Sequence, residues 1–158
     1  MNLGIYIHDF NDASVLEEIN ELVNTKNNVV QDISIFFDDI GFNPFKIKCG
    51  MFNSTDLWSF NGTLIVLSNE CAHTAINIVN NIDIYYHYRN HKETNFLGLM
   101  QLSKKIKFIT HCEETSKYIF RSTGQKSLSI CNNLQDTVSF LLEKRDGHKS
   151  NLNNVYKT

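Results

Sequence analysis

The chain has 158 residues, 42% of them hydrophobic and 20% charged, and its 15 basic and 17 acidic side chains leave a formal net charge of -2. That length and apolar content fit one domain with a sizeable core, and the near balance of charge, without a long run of either sign, gives no footprint for binding nucleic acid or an anionic membrane. The longest apolar runs, such as residues 63–67, fall far short of the roughly 20 residues that span a bilayer, and the opening Met1-Asn2-Leu3-Gly4-Ile5-Tyr6-Ile7-His8-Asp9 has no basic leader. The expected location is the cytoplasm.

Residues 3–7 read as a first strand. Val15, Leu16, Ile19, Leu22 and Val23 then recur at helical spacing, with Ser14 and Glu17 spaced as a capping box. Further β-rich runs stand at 33–37, 63–67, 82–86, 106–109 and 127–130, most of them followed by a segment of helical period. Ala72, Ala75, Ile76 and Val79 mark one later helix; Thr110 and Glu113 form a second possible box before Tyr118 and Ile119, and Gly124 is the stop that follows. A last helix over 134–144 turns Val138, Leu141 and Leu142 inward, with Asn132 or Asn133 as its cap. This alternation predicts a single doubly wound, mostly parallel, Rossmann-like α/β sheet with helices on both faces, over residues 1–147, followed by a polar tail over 148–158.

Residues 41–62 are the least regular stretch. They hold the only proline, Pro44, the only tryptophan, Trp58, and room for an extra strand at 45–49. Cys49, Cys71, Cys112 and Cys131 are about twenty residues apart with no C-x-x-C pair, which fits free thiols in a reducing compartment and suggests neither a zinc knuckle nor a redox dithiol.

In an open α/β sheet the ligand crevice lies beyond the carboxyl ends of the strands. The residues there are polar: His8 and Asp9, Asp38 and Asp39, Ser68, Asn69 and Glu70, His87 and Arg89, His111 and Glu113, Asn132 and Asn133. Carboxylates and imidazoles in one crevice suit acid–base chemistry near neutral pH, while Asp, Asn and Ser also serve as ordinary caps and turns. Asp9, Asp38 and His111 are the catalytic candidates; His8, Ser68, Asn69, Glu70, His87, Arg89 and Asn132 are the ligand-binding candidates. His87 and His91 would make a metal pair only on a helix, and this stretch reads as strand and loop, so neither metal nor cofactor is expected. Of Tyr85, Tyr86 and Tyr88, the last two are expected to face one layer.

Several nucleotide-binding and hydrolase signatures are absent. The first turn, His8-Asp9-Phe10-Asn11-Asp12, lacks the glycines that admit a pyrophosphate, and neither a P-loop nor a G-x-S-x-G elbow occurs. A receiver domain fails because the candidate third strands end in Cys49-Gly50 or Ser68-Asn69, not in an aspartate.

The stretches Ile82-Asp83-Ile84-Tyr85-Tyr86-His87-Tyr88, Lys107-Phe108-Ile109-Thr110-His111-Cys112-Glu113-Glu114-Thr115-Ser116-Lys117-Tyr118 and Ser129-Ile130-Cys131-Asn132-Asn133 together resemble the N-terminal Rossmann-type half of two-domain glycosyltransferases. The likeness is one of rhythm over about half the chain. The E-x7-E pattern of many donor domains is absent, and the chain stops near where a nucleotide-sugar domain would begin. The resemblance implies a domain that binds a sugar or nucleotide-type ligand at the strand ends, with or without catalysis of its own, and it carries over no catalytic residue. The competing expectation is an accessory module that docks a protein through the 42–60 stretch, with Phe52 and Trp58 as contacts.

Overall fold

The computed structural model describes residues 2–25, 32–41, 45–78, 81–89 and 96–155, the last ten as helical backbone only. Pro44, Val79 and His91 lie outside the described residues. In chain order the elements are β1 (Asn2–Ile7), α1 (Ala13–Asn24), β2 (Asp32–Phe37), β3 (Gly50–Asn53), a 3₁₀ helix (Ser54–Ser59), β4 (Gly62–Val66), α2 (Asn69–Ala75), β5 (Ile82–Tyr88), α3 (Phe96–Leu102), β6 (Lys107–Thr110), α4 (Glu113–Thr123) and α5 (Leu134–Val155). The six strands are all parallel and run in the order β3-β2-β1-β4-β5-β6. This is a doubly wound Rossmann-like sheet, and its order reverses between β1 and β4.

Strand pleating sorts the apolar side chains into two cores. Leu3, Ile5, Ile7, Ile35, Ile65, Tyr85 and Ile109 face α1 and α5, whose Leu16, Ile19, Leu134 and Val138 cover them. The alternate residues Tyr6, Phe36, Leu64, Val66, Tyr86, Tyr88 and Phe108 face the 3₁₀ helix and α2, α3 and α4. Burial on both sides explains why β1 and β4 read as continuous apolar runs rather than alternating ones. Each fully buried aliphatic side chain contributes about 1.5–3 kcal/mol. Tyr86 and Tyr88 do share one layer, with ring centroids 5.5 Å apart, while Tyr85 joins the other.

Local signals hold where short-range chemistry decides. Gly124 ends α4 in the left-handed region, at φ 72. Gly62 has φ 148, and a Cβ there would stand 2.5 Å from the Asn2 carbonyl oxygen, so the approach of β4 to β1 requires glycine. Asn133 caps α5, its side-chain oxygen accepting from the Asp136 N–H at 2.8 Å.

Other expectations shift. Asp12, not Ser14, caps α1, accepting from the Ser14 and Val15 N–H groups. Cys112, not Thr110, caps α4, because Thr110 still pairs in β6. The extra strand lies at Gly50–Asn53 rather than 45–49. Phe45, Ile47 and Cys49 do alternate onto the α1 side of the core, but they run beside the sheet without joining its ladder. The 127–130 run reduces to one parallel bridge, Thr110 with Ile130, flanked by backbone hydrogen bonds to β6. α3 has no counterpart in the sequence reading, and α5 continues to Val155, past the expected end near 144.

Candidate functional site

Past the end of β1, the Asp38 and Asp39 N–H groups both donate to the His8 carbonyl at 3.1 Å, which extends the β1–β2 pairing by one step. Tyr6 lies on β1 with His8 two residues on, just past its end, and Asp38 is likewise two past Phe36 of β2, so both continue the pleat of the side that faces α2. Tyr6 Oη donates to Asp38 Oδ1 at 2.6 Å, and His8 Nδ1 meets Asp38 Oδ2 at 3.1 Å. A carboxylate only accepts, so His8 carries its proton on Nδ1 when neutral.

Burial pushes the Asp38 carboxyl up, but hydrogen bonds from Ser54, Tyr6 and His8 outweigh it and hold the group below the usual range. The bond to Asp38 raises His8, and Asp9 and Glu70 add to this. Burial, reinforced by Asp38, raises Tyr6 far enough to keep it a neutral donor. Each bond to the charged carboxylate is worth about 1.5–3 kcal/mol. The His8 side chain remains 54% exposed and that of Asp38 29%.

The neighbouring candidates divide by role. Asp9 Oδ1 accepts from the Asn11 N–H at 2.9 Å in the first turn. Ser68 caps α2, its Oγ accepting from the Cys71 N–H at 3.1 Å. Asn69 is half-buried and its Oδ1 has no partner among the described residues, whereas Glu70 is exposed.

A second group forms at the ends of β5 and β6. His87 is fully buried, with Nε2 3.0 Å from the Cys131 carbonyl. A carbonyl only accepts, so Nε2 bears the proton and Nδ1 is left as the acceptor, facing Arg89 Nη2 and Thr137 Oγ1 at 3.5 Å each. Burial first, and then the Arg89 charge, push His87 down to about 3. Arg89 donates to both carboxylate oxygens of Glu18 at 2.9 and 2.7 Å, and Glu18 Oε2 also accepts the Leu134 N–H at the start of α5. Arg89 and His87 therefore serve as internal struts. His111 and Asn132 are exposed, the His111 ring centroid 6.5 Å from that of His87.

The structure thus joins His8 to Asp38, with Glu70 within electrostatic reach, and separately joins His87 to Arg89 and His111. Sequence reasoning missed Tyr6, Ser54, Glu18 and Thr137. Tyr6 was legible in principle as the residue two before His8 on a strand, but Glu18 lies 71 positions from Arg89 and gives no local signal. Among the described residues no three His, Cys, Asp or Glu side chains are grouped to hold a metal ion, and no helix is long and apolar enough to cross a membrane.

The fold is that of a Rossmann-like α/β domain, with polar residues gathered past the carboxyl ends of its strands. Comparison of the chain with protein-family models, curated proteins and solved structures finds no match to any of them.

Proposed function

We propose that the chain is a glycosyltransferase-like domain that binds a sugar or nucleotide-type ligand at the carboxyl ends of its strands, over the reversal between β1 and β4. The observation that carries this reading is the Tyr6–Asp38–His8 chain beside that reversal: an ionised carboxylate, supplied with donors, holding a histidine that is open to solvent. Such a histidine accepts a proton from a ligand hydroxyl, and its basicity is raised by the carboxylate behind it. Asp9 and Glu70 add acceptors for further hydroxyls. The N–H groups at the start of α1, which a diphosphate would use, are already taken by Asp12. His8 and Asp38 therefore answer to the hydroxylated part of the ligand, with Ser68 and Asn69 beside them and His111 and Asn132 at the far side. Arg89 and His87 position the β5 end.

The test is thermal shift of the full chain against nucleotide sugars, nucleotides and divalent metals, since a ligand of the native state raises its stability by mass action. A concentration-dependent rise with a nucleotide sugar, lost in His8→Ala and Asp38→Asn, supports the reading. Absence of any shift favours a protein-docking module instead. That second reading rests on Met51, Phe52 and Trp58, which are 39%, 42% and 57% exposed on β3 and the 3₁₀ helix after it.

A further inference from the structure

At the opposite, amino edge of the sheet, the starts of three strands meet the middle of α5. Thr63 of β4, Asp83 of β5, Lys107 of β6, and Lys144 and Arg145 of α5 surround a cavity of about 260 Å³ whose floor includes the Tyr85 ring. Lys107 Nζ and Lys144 Nζ stand 5.1 and 5.9 Å from the centroid of that one ring. Lys107 donates to Asp83 Oδ1 at 2.9 Å, whereas Lys144 and Arg145 have no carboxylate partner among the described residues. Three cations against one carboxylate make this cavity positive in a chain whose net charge is -2.

We infer that this cavity is a second binding site, for the phosphomonoester group of a small hydroxylated molecule. Asp83 already balances the Lys107 ammonium, which leaves Lys144 and Arg145 as the uncompensated charges on this cavity. A dianion beside them gains charge-assisted hydrogen bonds from the Lys144 ammonium and the Arg145 guanidinium, with the Thr63 hydroxyl as a further donor, while the Tyr85 ring holds both lysine ammonium groups near its face. The volume is just below the usual range of ligand pockets and has room for a phosphate group. A neighbouring cavity of about 510 Å³ shares Thr63, Asp83 and Arg145 and adds Asn2, Asn61 and Asn81, whose amides both donate to and accept from hydroxyls. The site lies at the edge away from His8 and Asp38, so it stands or falls independently of the strand-end crevice.

The experiment is an NMR titration of the full chain at low ionic strength with inorganic phosphate, a hexose 6-phosphate and the unphosphorylated hexose. Saturable shifts at the amides of Thr63, Asp83 and Lys107 are expected with the first two probes only. The double substitution Lys144→Gln, Arg145→Gln is expected to weaken the hexose phosphate at least about tenfold. It falls on exposed or half-buried helix positions, and an unchanged melting temperature verifies its fold. Asp83→Asn, which removes the competing negative charge, is expected to tighten binding. Shifts equal with the plain hexose, no saturation with either phosphate, or unchanged affinity in the double variant would each overturn the assignment.

Discussion

Glu18 of α1 holds Arg89 at the end of β5 by two hydrogen bonds, 2.9 and 2.7 Å long, and with one of the same oxygens accepts the first N–H of α5. One carboxylate thus ties two helices of one face to the strand beyond the switch point. Both side chains are mostly shielded, at 25% and 20% exposure. The pair's value lies less in net attraction than in what its rupture leaves behind.

Glu18→Gln is therefore expected to cost about 2–3 kcal/mol, because it strands a shielded guanidinium and weakens an α5 cap together. Urea unfolding reads this as a lower midpoint at unchanged slope. A change within about 0.5 kcal/mol would mean that Arg89 finds water or another acceptor.

His87 sets a pH dependence of definite sign. Its folded value, about 3, lies below the ordinary 6.5, so between these limits only the unfolded chain takes the proton. Its contribution is complete above pH 6.5 and is lost as the pH falls toward 3, at up to about 1.4 kcal/mol per pH unit. In His87→Gln the fall in stability between pH 7 and 4 is expected to flatten by about one proton, whatever the variant's absolute stability. Equal slopes would show that the imidazole is not kept neutral.

His8 runs the other way. Its bond to Asp38 raises it in the folded state, so its contribution is present below pH 6.5 and is lost as the pH rises through the folded value. Asp38 is held low, and its share is lost as the pH falls. An NMR titration of the His8 ring is expected to give a midpoint above 6.5 that returns to the ordinary range in Asp38→Asn; a midpoint indifferent to that substitution would dissolve the pair.

The four cysteines are expected to react unequally. Burial pushes Cys49 up to about 11 and Cys71 up to about 12, and Cys131 is buried. Cys112, at the start of α4, is lowered by the Thr115 N–H first and then by the Thr115 hydroxyl. Iodoacetamide at pH 7.5 should give one fast adduct, abolished in Cys112→Ser, as read by mass spectrometry. A fast adduct at Cys71 would mean that α2 opens.

The alternation of strands and helices, the inward residues of α1, the stop at Gly124 and a cap at Asn132 or Asn133 could all be read from the sequence, because each depends on neighbours within a turn or a pleat; the structure decides for Asn133. α3 escaped notice since Phe96, Leu97 and Met100 are exposed while Gly98 and Leu99 are buried, which erases a clean helical period. Phe45, Ile47 and Cys49 gave true alternation without a strand, because alternation reports which side is buried and not whether a neighbouring ladder is in register.

Only the tertiary structure decided the strand order, the pairing of His8 with Asp38, and the burial of His87 among Cys131, Arg89 and Thr137. As sequence, His8 and His87 are equivalent polar residues at strand ends. In the fold one is open to solvent beside a carboxylate and the other is sealed beneath the start of α5, since partners 30 to 50 positions away meet only once the sheet has closed.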